Sequence, residues 1–142
     1  MTTKEYLLQV KKINDIIKNR MREIDDLRSM SRNISSMAYD RDRVQTSGGV
    51  SKLENIVTRI VDLDRQVDNY IDLKYKIIKQ IESLDADEYS VLYMRFVNCY
   101  TFGTILSMLN EEDVWSERKM YHVYSRALDS FERKYGELYE NV

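Results

Sequence analysis

The residues whose types and spacing could do chemistry lie between positions 101 and 131, which read TFGTILSML, NEEDVW and SERKMYHVYSRALDSF. Thr101 and Ser116 each stand where a hydroxyl caps a helix, so the stretch has the plan of a short helix, a polar turn and a second helix. On that second helix Met120, Val123, Tyr124, Ala127, Leu128 and Phe131 share the apolar face. This leaves Glu117, Arg118, Lys119, Tyr121, His122, Ser125 and Arg126 uncommitted. A helix-turn-helix of this plan sets its second helix in a DNA major groove. Arg118, His122 and Ser125 are then candidates for base edges and Lys119 and Arg126 for phosphates, with Tyr121 completing the candidate DNA-binding set.

Catalysis and metal chemistry have no comparable set. His122 and Cys99 are the only histidine and cysteine, too few for a usual zinc site, and a lone cysteine forms no intramolecular disulfide. No grouping of nucleophile, base and oxyanion donors is apparent, so the chain reads as a non-enzyme that needs no cofactor and no metal. Cys99, beside Tyr100 at a helix end, is expected as a small core or boundary residue. His122 is expected at the surface or facing DNA. Trp115, just ahead of Ser116, is placed to staple against the stem of Lys119 or against Met120.

The elements that must position these residues follow from composition and period. With no proline, four glycines and abundant Leu, Ile, Lys, Glu, Asp and Arg, little interrupts helices, and the expected fold class is all-α. Thr2 and Glu5 have the spacing of a capping box, and Tyr6, Val10, Ile13, Ile17, Ile24, Leu27 and Ile34 then form one apolar seam to about Met37, a helix of roughly 50 Å. Residues 38–50, AYDRDRVQTSGGV, read as a loop. Ser51 and Glu54 suggest a second capping box, followed by Leu53, Ile56, Ile60, Leu63, Val67, Tyr70, Lys74, Ile77, Ile81 and Leu84 in alternating steps of three and four.

Two helices of matched length predict an antiparallel coiled-coil hairpin over residues 1–84, with position numbers across the seam summing to about 88. In that register Asp64, Asp68 and Asp72 fall within reach of Lys18, Arg20 and Arg22, as a solvated face partly paired with these bases. Leu7, Ile16, Val57, Val61, Ile71 and Ile78 widen the seam, and self-association as a homodimer, or packing on the C-terminal unit, is their expected outlet. Residues 85–142 form the second predicted domain. Asp85 and Glu88 open its first helix at capping-box spacing, and that helix carries Tyr89, Leu92, Tyr93 and Phe96 to about Asn98.

Charge divides unevenly at this boundary: residues 1–83 carry 16 Lys+Arg against 13 Asp+Glu, and residues 84–142 carry 6 against 11. A balance of -5 in the candidate reading half opposes tight, unaided binding to phosphates. The opening MTTKEYLLQVKK has charges where a signal peptide needs an apolar core, and no apolar run approaches a span of roughly 18 residues. A soluble cytoplasmic protein without a membrane partner is expected.

The pattern LYMRF at positions 92–96, TFxxIL at 101–106, Ser116, Met120 and RAL at 126–128 resembles region 4 of the bacterial sigma-70 family, in which a Ser cap is followed after four residues by an aliphatic and after six more by R-A-L. The layout as a whole, from the KEYL opening through DRVQ-x-SG at positions 42–48 to this ending, is similar to small phage and prophage regulators of the ArpU and RinA type. The resemblance implies a transcriptional regulator of a bacterial host cell, an activator of late phage genes. It would contact promoter DNA, RNA polymerase, or both. The acidic balance of residues 84–142 favours a different class instead, a non-catalytic coiled-coil assembly or adaptor protein such as a phage packaging small subunit.

Overall fold

The computed structural model describes residues 1–40 and 46–141. All their regular structure is helical: α1 (Thr3–Asp40), α2 (Thr46–Glu82), α3 (Ala86–Leu92) running on as a π-helical turn (Tyr93–Val97), α4 (Phe102–Leu109), α5 (Glu117–Tyr135) and a closing 3-10 turn (Gly136–Asn141). The protein is all-α, as its composition predicts. Among the described residues no helix is long and apolar enough to cross a membrane.

The opening capping box forms reciprocally. The Thr2 N–H donates to Glu5 Oε2 at 2.9 Å and the Glu5 N–H to Thr2 Oγ1 at 3.2 Å. This meets two of the donors that a helix start leaves unpaired. The second capping box does not form at a helix start, because α2 begins at Thr46 and Ser51 lies inside it. The loop expected over residues 38–50 is accordingly helical at residues 38–40 and 46–50, and its centre, residues 41–45, lies outside the described residues. Glycine lowers helix stability by about 1 kcal/mol relative to alanine without forbidding a helix, and extension from the long seam behind it is the easy step.

The chain forms two compact units. In unit 2, Asn14–Asp72, α1 and α2 run antiparallel around Ile24, Leu63 and Val67, flanked by Ile17, Leu27, Ile60 and Ile71. Arg20 Nε donates to Gln66 Oε1 at 3.0 Å, and Arg59 Nη2 pairs with Glu23 at 3.1 Å. These two contacts have position sums of 86 and 82, close to the predicted register. The acidic row is the solvated face expected, with Asp64, Asp68 and Asp72 exposed, but among the described residues none of the three is in an ion pair, and Arg20 bonds the Gln66 amide. Exposed carboxylates keep their hydration at no cost, so nothing compels them to pair.

Unit 1, Met1–Ile13 with Leu73–Val142, joins the ends of the first two helices to everything after them. This division falls within the two long helices, between Ile13 and Asn14 and between Asp72 and Leu73, whereas the sequence places a domain boundary at residue 84. The reason is a cluster of buried rings. Tyr6 stacks on Tyr139 with centroids 4.6 Å apart and lies 5.8 Å from Phe131. Tyr6 Oη donates to Gln80 Oε1 at 2.8 Å, and Tyr139 Oη to Thr3 Oγ1 at 3.0 Å. Buried hydroxyls without partners would destabilise this packing, and both are satisfied. Leu7 and Ile78, two of the residues that widen the seam, are buried here, whereas Val57 (49% exposed) and Val61 (52%) of unit 2 remain open to solvent.

Candidate nucleic-acid interface

The helix-turn-helix portion of unit 1 is built around Val91, Ile105, Trp115, Met120 and Val123, with Leu106, Leu109 and Tyr124 packed beside them. Both predicted caps are present. Thr101 Oγ1 accepts the Thr104 N–H at 3.3 Å, and Ser116 Oγ accepts the Lys119 N–H at 3.0 Å. Between them one side chain closes the polar turn: Asn110 Nδ2 donates to the Leu106 carbonyl at 2.9 Å, while its Oδ1 accepts the Trp115 N–H at 2.6 Å. Glu111, Glu112 and Asp113 are left exposed around this clip.

Trp115 fills the staple position. It is buried, joins Met120 in the core, and carries the Lys119 ammonium 4.1 Å from its ring centroid. Met120, Val123, Ala127 and Phe131 form the buried face of α5, with Tyr124 and Leu128 half-buried beside them. The periodicity of the sequence therefore gave the correct orientation of this helix.

The six candidate DNA-binding residues divide into three groups. Arg118, His122 and Ser125 are exposed, and at 100° per residue they form one outward row on α5. Lys119 is exposed but stacked on Trp115. Tyr121, 41% exposed, turns toward α4, with its ring centroid 5.0 Å from that of Phe102. Arg126 is committed elsewhere: its Nε donates to Glu88 Oε1 at 3.1 Å, and Ser130 Oγ donates to the same oxygen at 3.2 Å.

Glu88 was expected as the far end of a capping box. It is instead only 4% exposed and ties α3 to α5, and Asp85, at the cap position, makes no side-chain cap bond. A carboxylate excluded from water requires a cation and further donors, and Arg126 with Ser130 supplies them. One of the three bases counted for the α5 outer face is thereby neutralised.

Cys99 also departs from expectation, being exposed, with φ 58°. The π-helical turn ends with Asn98 N–H donating to the Tyr93 carbonyl and Tyr100 N–H to that of Met94, and the chain reverses into α4 through a left-handed residue. Such a residue usually closes a helix as glycine or asparagine. Here a cysteine occupies it, at a cost of about 1–2 kcal/mol.

The unit boundary also changes the charge argument. Unit 1 contains 12 Lys+Arg against 13 Asp+Glu, and unit 2 contains 10 against 11. The compact body bearing α5 is thus near neutrality rather than at -5, because the ends of α1 and α2 bring six bases and two acids to it. Comparison of the chain with protein-family models, with curated proteins and with solved structures finds no match in any of the three.

Proposed function

We propose that this protein is a phage-type transcriptional regulator, an activator of late genes, whose α4, turn and α5 act as a sigma region 4-like helix-turn-helix on promoter DNA, RNA polymerase, or both. The observation that carries the reading is the exposed row Arg118, His122 and Ser125 on a helix whose opposite face is buried and whose start is capped by Ser116. Arg118 and His122 supply donors for base edges, Ser125 donates or accepts, and Lys119 is near enough to the helix start for a phosphate. The protein works as a homodimer in this reading, with Val57 and Val61 of α2 as the support for an interface between copies.

The test is binding of the full chain to DNA fragments carrying late phage promoters, with capture of RNA polymerase alongside. Arg118→Ala with His122→Ala is expected to weaken promoter binding by about 10- to 100-fold, the size of one lost base contact. Lys119→Gln should weaken all sequences alike and lower the salt slope by about 1. Promoter binding untouched by the double substitution would remove α5 from the interface. Arg126→Ala is a poor probe, because it also breaks the buried pair with Glu88.

The engagement of Arg126 favours a second reading, in which the trihelical end binds protein in a coiled-coil assembly or adaptor such as a phage packaging small subunit. Weak DNA binding without promoter preference, and no polymerase capture, is its expected outcome.

A further inference from the structure

A cavity of about 460 Å³ lies within unit 1, flanked by α1, the π-helical turn, α4 and α5. Its bases are Lys4, Lys11 and Arg95, and no carboxylate lines it. None of the three takes part in an ion pair, since the pairs among the described residues are Arg59 with Glu23 and Arg126 with Glu88. Three cations lining one cavity without a counter-charge repel one another, and an anion relieves that repulsion.

The rest of the wall is mostly aromatic: Phe96, Phe102, Tyr121 and Tyr124. The Phe102 centroid is 5.0 Å from those of both Tyr121 and Tyr124, at interplanar angles of 53° and 79°, so the rings hold one another in place. Arg95 is fixed as well. Its guanidinium carbon lies 4.2 Å from the Phe102 centroid, and Nη1 donates to the Tyr100 carbonyl at 3.0 Å. Other N–H groups of its five remain for a ligand. Lys4 and Lys11 stand on one stripe of α1 with Leu8 between them, and Leu8 (51% exposed) and Tyr121 form an accessible apolar rim.

A fixed guanidinium and two lysines beside ring faces match a planar heteroaromatic ring joined to a phosphate: the ring stacks and the phosphate meets the bases. An acidic peptide would satisfy the bases and leave the ring wall unused. The volume falls in the range of small-molecule sites, about 300–1,000 Å³. The geometry points to a nucleotide-binding site in this cavity, taking a base that carries a phosphate, either free or as one unit of a single strand. The site is distinct from the outward row Arg118, His122 and Ser125 and does not depend on duplex reading by α5.

Cys99 lines the cavity, is exposed and is the only thiol in the chain, so its rate of reaction with N-ethylmaleimide reports occupancy in the full chain. AMP at millimolar concentration, or a ten-residue oligothymidylate at micromolar concentration, is expected to slow that reaction at least threefold at low salt. Protection by AMP as well as by the strand identifies a free nucleotide as sufficient; protection by the strand alone identifies the single-strand source. Lys4→Gln with Lys11→Gln should weaken protection about tenfold and flatten its salt dependence. Lys4→Arg with Lys11→Arg should restore it, and Tyr121→Ala should weaken it about tenfold.

Arg118→Ala, which tests the α5 face, should leave protection unchanged, so this site and the proposed DNA reading fail separately. Lys4 and Lys11 are exposed, and thermal melts of their variants should match the parent. The proposal is overturned if neither ligand slows Cys99 modification, if protection survives the lysine and tyrosine substitutions, or if a glutamate-tyrosine copolymer protects where both nucleotide ligands do not.

Discussion

Unit 2 and unit 1 draw on the same two helices and hold them by different means. In unit 2 the contact is a repeating aliphatic seam, Ile24 with Leu63 and Val67, with polar contacts only at its edge. In unit 1 the same helices meet through Tyr6 and Gln80, and the later helices are locked on by Tyr139 to Thr3 and by Glu88 to Arg126 and Ser130. An aliphatic seam is satisfied by any register that matches its period, whereas a buried hydroxyl or carboxylate is satisfied by particular partners. The seam makes the hairpin possible, and the polar bonds of unit 1 fix which residues of the helices meet within that unit.

The comparison is broken most strongly by emptying each core in turn. Phe131→Ala should destabilise unit 1 by about 3–5 kcal/mol, and Leu63→Ala unit 2 by about 2–5 kcal/mol, toward the lower end because a two-helix contact closes readily around a gap. Hydrogen exchange should then show Phe131→Ala loosening amides of residues 1–13 and 73–141, and Leu63→Ala those of residues 14–72. If either variant loosened both sets equally, the units would not be separate bodies. Arg126→Ala comes next, at about 1–3 kcal/mol for leaving the Glu88 carboxylate buried with Ser130 alone. Arg118→Ala should stay within about 0.5 kcal/mol in the same melts.

Smaller effects sharpen the contrast. Tyr6→Phe removes the bond to Gln80 and should cost about 1 kcal/mol. Burial pushes the Tyr6 phenol above its ordinary 10.0, against the bond to Gln80, and burial does the same to Tyr139 against its bond to Thr3. A phenol whose pKa is higher in the folded state contributes stability that is fully present below pH 10 and is lost as the pH rises through the folded value. Melting temperature should therefore fall above about pH 10, and less steeply in Tyr6→Phe; an unchanged slope would show that this phenol does not set the alkaline limit. Arg59→Ala, at an exposed ion pair in unit 2, should change stability by under about 1 kcal/mol.

Regular features were legible in the sequence. All seventeen seam positions are buried or half-buried. The caps at Thr101 and Ser116, the staple at Trp115 and the buried face of α5 follow from spacings of a few residues, which a linear reading captures. What stayed hidden depends on partners far along the chain. Asp85 to Glu88 has the same spacing whether Glu88 caps its own helix or pairs with Arg126, and only a contact 38 positions away decides between them. Tyr139 has no periodic neighbour to mark it as core. The division into units likewise depends on these distant contacts, and with it the near-neutral charge of the unit that carries α5.

The bond from Tyr139 to Thr3 spans 136 positions, and this has a consequence for synthesis. Residues 14–72 contain everything their own core needs and can pair while the chain is still emerging from the ribosome. The start of α1 must wait for residue 139, so long-range closure of unit 1 comes last. Until then Tyr6 and Leu7, among the most deeply buried side chains of the finished protein, stand uncovered on a helix already formed, and the nascent chain presents a sticky N-terminal stripe that a chaperone would recognise.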